Sequence, residues 1–211
     1  MLLVVARDTR EAARLEQELG FFLDRPDDPE VLHFPDWETL AWDSFSPHQD
    51  IISQRIATLQ RLPETRHAVL VAPITTLMHR VPPARWLAGR SLVLDVGAPF
   101  DLETRREQLQ TAGYRRVETV LEHGEYAVRG ALMDIYPMGS ELPYRIDLFD
   151  DEIETLRQFD PETQRTVQSV ESVRLLPAKE FPLDPEAIRA FKDRWHRAFD
   201  VDARRCPVYR D

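Results

Sequence analysis

The hydrophobic pattern of this chain changes period shortly before residue 100, and no other feature constrains the fold as strongly. The early strand-like runs, LLVVA at residues 2–6 and AVLVA at 68–72, are continuously apolar. Such runs mark strands buried on both faces, as in a parallel sheet covered by helices. Between them Asp8 stands at a cap position, Glu11 completes a capping box, and Ala12, Leu15 and Leu19 recur at helical spacing before Gly20, which occupies a C-terminal cap position. A strand at 31–34 follows a loop rich in Asp and Pro at 24–30. A helix over about 50–62 carries Ile52, Ile56 and Leu59 in one stripe and stops before Pro63, and a short helix is expected over 74–81. Strand, helix, strand is the opening of an α/β layer.

Past residue 91 the pattern differs. A strand at 92–96 leads into a helix at 101–112, capped by Asp101 and closed by Gly113. Strands are then expected at 114–121, 126–136, 144–149, 152–159 and 170–176. Tyr144, Ile146 and Leu148 alternate with Arg145, Asp147 and Phe149, the period of a strand with one core face and one solvated face. Asp150 and Asp151 form the tight turn to the next strand. The reading is a parallel α/β domain over 1–90, an antiparallel α+β domain over 91–181, and a tail of 182–211 holding one amphipathic helix with Ile188, Phe191, Trp195 and Phe199 on its stripe.

Charge and composition exclude several functions. The 211 residues carry 27 Lys+Arg against 37 Asp+Glu, a formal charge of −10, which argues against wholesale binding of nucleic acid. Residues 91–181 hold 18 acids against ten bases, so most of that charge lies in the second domain. No apolar run approaches the roughly 20 residues needed to span a bilayer, and no basic segment precedes an apolar stretch at the N-terminus, so neither a membrane protein nor a secreted precursor is expected. A single cysteine, Cys206, excludes an intramolecular disulfide and a multi-cysteine metal cage, and a reducing cytoplasm fits.

Catalytic patterns are weak. With seven glycines and two lysines, Lys179 and Lys192, the chain has neither a Walker A loop nor a GxGxxG turn. RIDLFDDEIE at 145–154 imitates a Walker B strand through Asp151 and Glu152, but the strand alternates where a Walker B strand is continuously apolar, so both read as turn acids. Asp43, Ser44, His48 and Asp50 crowd one loop; triads are recognised by geometry, and the plainer reading is a set of caps for the helix near Asp50. The six histidines show no paired metal-ligand spacing, and no cofactor is expected.

Binding residues stand out more. Phe149 shares a strand face with Arg145 and Asp147 and is a candidate interface anchor, or simply the cover of a small patch near the turn. Arg129, read in one strand over 126–136, alternates with Ala127, Ala131, Met133 and Ile135, so it needs an acidic partner within the chain or across an interface. Gly130 beside it reads as a bulge.

FPDWETLAWDSFSPHQDIISQR (34–55), APITTLMHRV (72–81) and especially EHGEYAVRGALMDIYPMGSELPYRIDLFDDEIETLRQFD (122–160) resemble the N-terminal, UvrB-homologous region of the bacterial transcription-repair coupling factors, the Mfd family. Trp42 stands where the family pattern has Tyr. The resemblance implies a partial helicase-like, P-loop-type α/β layer whose nucleotide site has decayed, followed by an antiparallel module like the second domain of UvrB. It implies a non-catalytic role: docking of UvrA in transcription-coupled nucleotide excision repair, with Arg129, Arg145 and Phe149 at the family's UvrA-contacting positions. It also implies a contact with a C-terminal region that masks this face, and engagement of RNA polymerase and DNA through an ATP-driven motor and other domains outside this chain. The family's first ~40 residues have no counterpart before Leu2, so the chain is expected to be a piece of a longer polypeptide or a truncated gene product. The competing expectations are a helicase-derived fragment that retains ATPase or DNA binding, and a purely autoinhibitory domain.

Overall fold

Three parallel strands and their helices come first in the computed structural model, which describes residues 1–40, 43, 45–182, 184–199 and 206. β1 (Leu2–Ala6), β2 (Glu30–His33) and β3 (Ala68–Pro73) pair in the order β1-β3-β2, with the fully buried β3 in the centre. α1 (Thr9–Phe22) starts where Asp8 accepts the Glu11 N–H, and it covers one face through Ala12, Leu15 and Leu19 against Val69 and Val71. It runs through Gly20, and the Leu23 N–H reaches the Leu19 carbonyl at 2.8 Å, so Gly20 is an interior residue and not the cap. α2 (Gln49–Arg61) covers the other face with Ile52, Ile56 and Leu59. α3 (Ile74–Leu77) is shorter than its expected span, ending five residues before Pro82, and α4 (Ala84–Ala88) follows Pro82 and Pro83.

The second half is a sheet of six strands in the order β10-β9-β8-β7-β6-β5. They are β5 (Arg115–Arg116), β6 (Glu125–Arg129), β7 (Leu132–Ile135), β8 (Tyr144–Phe149), β9 (Glu152–Phe159) and β10 (Thr166–Val170). Every neighbour is antiparallel except β5, which pairs parallel with β6, so the sheet is mixed. β4 (Leu92–Asp95) and β11 (Ser172–Leu175) form a separate antiparallel pair, and α5 (Leu102–Thr111) is capped by Asp101 as expected.

Three expected strands are corrected. The 114–121 run is β5 followed by a loop, because the buried Glu125 carboxylate takes the Leu121 and Glu122 amides that a strand would need. The 126–136 run is a hairpin, because Gly130 at φ +62° turns the chain back. The 170–176 run is split between the end of β10 and β11, which pairs with β4.

One apolar core joins the two halves: Leu32, Ile56 and Leu70 share a cluster with Tyr126, Met133, Ile146 and Leu156. Met1–Glu180 pack as one compact unit, and Phe181–Asp211 form a second. In the second, α6 (Pro185–Ala198) is capped by Asp184, and the Phe191, Trp195 and Phe199 rings stack along it. Among the described residues no helix is long and apolar enough to cross a membrane.

Candidate protein-binding site

Alternation along the central strands sorts their side chains into two faces. Tyr126, Met133, Ile135, Ile146 and Leu156 are buried in the core. On the opposite face Ala127, Asp134, Arg145 and Arg157 form one cross-strand row, and Arg129, Leu132, Asp147 and Thr155 form the next. Arg145, Asp147 and Phe149 therefore share a face, as their alternation predicts. Arg129 has other neighbours than expected: the two-residue turn at Gly130 and Ala131 reverses the phase, so Leu132 and Asp134 accompany it while Met133 and Ile135 face the core. Gly130 is a turn and not a bulge. The irregularity lies on β9, where Glu154 is the unpaired residue between Ile153 and Thr155, opposite Leu148 and Asp147.

The acidic partner that Arg129 requires is Asp134, which is 1% exposed. Arg145 grips the same carboxylate in bidentate fashion, Nε to Oδ1 at 2.7 Å and Nη2 to Oδ2 at 2.9 Å, and Arg129 donates its Nη2 to Oδ2. The Arg145 guanidinium also lies 4.7 Å from the Phe159 ring centre and reaches the Gln164 carbonyl at 3.4 Å. Hydrogen bonds donated to Asp134 hold the Arg145 pKa above its ordinary value, against the opposing effect of burial, and the charges of Asp134 and Asp147 add to the rise. Asp147 in turn accepts from Thr155 Oγ1 at 2.5 Å and from Arg157. Five charges thus alternate in sign across the face, from Arg129 through Asp134, Arg145 and Asp147 to Arg157.

What protrudes from this lattice is limited. The Arg129 side chain is 48% exposed, whereas that of Arg145 is 18% exposed. Phe149, 68% exposed, ends β8 just before the turn at Asp150, whose φ is +51°. The β6–β7 and β8–β9 turns lie side by side, since the Leu148 N–H donates to the Ala131 carbonyl at 2.9 Å. Arg129 and Phe149 therefore emerge at the same end of the sheet. Beside them is an open depression of about 420 Å³ lined by Ala131, Leu132, Asp147, Leu148, Glu154 and Arg157 among others. A half-free guanidinium beside a bare ring suits recognition of a carboxylate next to an apolar pocket.

The other candidates resolve into structural roles. Asp151 lies in the β8–β9 turn, where its carbonyl accepts from the Phe100 N–H, and Glu152 opens β9 and bridges to Pro99. Ser44 and Trp42 lie outside the described residues. His48 caps α2 by accepting the Asp50 N–H at 3.3 Å, whereas Asp43 accepts the Leu40 N–H and Asp50 lies within the helix, so of the described residues of this set His48 alone caps α2. Among the described residues no group of three His, Cys, Asp or Glu is placed to hold a metal ion.

Asp134, Phe159 and Arg157 join the site without standing out in the sequence. A lone acid inside the apolar run LMDIY was the available signal, and its meaning depended on knowing that a turn brings Arg129 back onto it.

Residues 92–181 match a family model described as the UvrB interaction domain. The chain is 51% identical over 200 residues to the transcription-repair-coupling factor of Escherichia coli (strain K12), covering 95% of this chain and 17% of that protein. It is 46% identical over 209 residues to the transcription-repair-coupling factor of Haemophilus influenzae, covering 99% and 18% respectively. For the protein of the same name in Bacillus subtilis (strain 168) the identity is 28% over 185 residues, covering 88% and 16%. The chain spans less than a fifth of the length of these curated relatives.

Proposed function

This chain is homologous to the N-terminal region of the transcription-repair-coupling factors and contains a UvrB interaction domain, and from that premise we propose that it is a non-catalytic docking module that recruits UvrA in transcription-coupled nucleotide excision repair. One observation carries the proposal. Within the segment that matches the UvrB interaction domain, a half-exposed Arg129 and a protruding Phe149 stand at one end of a sheet, on a frame fastened by the pair of Arg145 and the buried Asp134. Arg129 meets a carboxylate of the partner, Phe149 fills an apolar pocket, and Arg145 belongs to the same site as part of its frame. In the longer protein a C-terminal region covers this face until activation, and RNA polymerase and DNA are engaged by parts outside this chain.

The test is titration of UvrA with the chain and with its Phe149→Ala variant, with DNA and ATP as controls. Phe149 packs little, so the variant keeps its melting temperature while its affinity falls by about tenfold or more. Unchanged affinity in the variant refutes the assignment. ATP hydrolysis, or salt-sensitive DNA binding by the chain alone, supports the helicase-derived reading instead.

A further inference from the structure

Arg129 and Arg145 meet on one buried carboxylate, but they use it differently. A guanidinium has five N–H donors in a rigid fork. Arg145 commits Nε and Nη2 to Asp134, turns Nη1 to the Gln164 carbonyl and lies over the Phe159 ring. Arg129 gives Asp134 only its Nη2; among the described residues its Nε and Nη1 make no hydrogen bond, and half of the side chain faces solvent. We infer that Asp134 and Arg145 are a positioning pair that aims Arg129, and that Arg129 alone of the two arginines presents its guanidinium to a carboxylate of the partner. The inference rests on the docking function proposed above and adds to it Asp134 and a division of labour.

The register shows why such a pair is needed. Arg145 lies directly opposite Arg157 across β8 and β9, and like charges so placed repel. The conflict is relieved because each leans to its own acid, Arg145 to Asp134 and Arg157 to Asp147. Asp134, at 1% exposure, has no solvent to share its charge with, so both arginines are drawn to it. Arg145, stacked and bidentate, fixes the carboxylate; the carboxylate then restrains Arg129, which is otherwise a flexible side chain on a hairpin tip. Loss of the charge at position 134 leaves two cations facing each other and nothing to hold the outer one.

Two measurements test this, with thermal melts confirming that each variant is folded. The first uses the free chain: nitrogen-15 relaxation of the Arg129 Nε–H group. In Asp134→Asn and in Arg145→Gln its order falls to that of Arg10, an exposed arginine, while Arg145→Lys gives an intermediate value because a lysine cannot hold the carboxylate at two points. The second is UvrA titration in a double-mutant cycle. Asp134→Asn lowers affinity about tenfold in the native background and less than about twofold when Arg129 is already Met, and Arg145→Gln behaves alike. Undiminished order of Arg129 in Asp134→Asn overturns the inference, as does a tenfold further loss from Arg145→Gln on top of Arg129→Met, which marks Arg145 as a direct contact. If the unaltered chain does not capture UvrA at all, the proposed function fails, and the relaxation measurement still decides the positioning role.

Discussion

Replacing Arg55 with Met breaks an ion pair that is out of reach of water and ties α2 to the last residue of the first compact unit. Arg55 is 0% exposed and Glu180 6%. The guanidinium donates Nε to Glu180 Oε1 at 2.5 Å, Nη2 to Oε2 at 3.1 Å and Nη1 to the Pro35 carbonyl at 2.5 Å. It sits 4.3 Å from the Phe34 ring centre and 4.8 Å from that of Trp37, whose Nε1–H donates to Glu180 Oε1 at 2.9 Å. Methionine keeps much of the stem volume but removes three hydrogen bonds, leaving the carboxylate with a single Trp37 donor. Breaking a buried pair from one side costs about 3–5 kcal/mol. In a unit of this size each kcal/mol moves the melting temperature by about 2–4 °C, so Arg55→Met should melt roughly 6–20 °C lower. The assay is a circular-dichroism melt with urea titration as a check. Removing both charges in Arg55→Met/Glu180→Met should recover part of the loss, because no carboxylate is then left stranded. UvrA affinity measured well below the melt should stay within about twofold, since the pair shares no contact with Arg129 or Phe149. A melt within about 2 °C of the native chain, or a double variant no better than the sum of the singles, would refute the reasoning.

Two glycines in the left-handed region should respond unequally to alanine. At Gly139, φ +79°, a Cβ would sit 3.1 Å from Ala57 Cβ and 3.2 Å from Leu176 Cδ1, and its N–H donates to Ser53 Oγ at 2.8 Å; Gly139→Ala should cost about 2–3 kcal/mol by urea titration. Gly130, φ +62°, has open space around it, so Gly130→Ala should cost only about 1 kcal/mol. Equal losses would show that the close approach of α2 to Gly139 contributes nothing. For Glu125, burial pushes the carboxyl pKa upward, but the Leu121 and Glu122 amides and the Arg115 guanidinium outweigh it, and the group titrates below its ordinary range. A depressed carboxylate gives stability that is present above its unfolded value of about 4.3 and lost as pH falls through the folded value. Hydrogen-exchange protection of residues 117–122 should therefore fall on acidification below about pH 4. Glu125→Gln should lack that dependence, and identical acid profiles for the two chains would contradict the assignment.

How much of the site could be read locally depended on whether a strand ran unbroken. β8 is uninterrupted from Tyr144 to Phe149, so alternation alone places Arg145, Asp147 and Phe149 on one face, and the bulge that disturbs this region lies on β9. The Arg129 segment failed for a definite reason. A two-residue turn pairs 129 with 132, an odd position with an even one, so counting straight through Gly130 places every later side chain on the wrong face. Gly20 misled in the opposite sense: a glycine at the expected end of a helix looks like a stop, but α1 continues for two residues beyond it. The strand expected over 114–121 stops after β5 because one buried acid, Glu125, holds the Leu121 and Glu122 amides, which no local pattern reveals.

The sequence by itself determined α1, α2 and α5 with the Asp8 and Asp101 caps, the central strand β3 and the outer face of β8, because each follows from contacts among near neighbours along the chain. Only the tertiary structure decided which charges meet. Asp134 joins Arg129 to Arg145 through the pairing of three strands, and Arg55 finds Glu180 across 125 positions of sequence. Those meetings are set by sheet order and by the packing of one shared core, which bring together residues whose own neighbourhoods carry no mark of the partner.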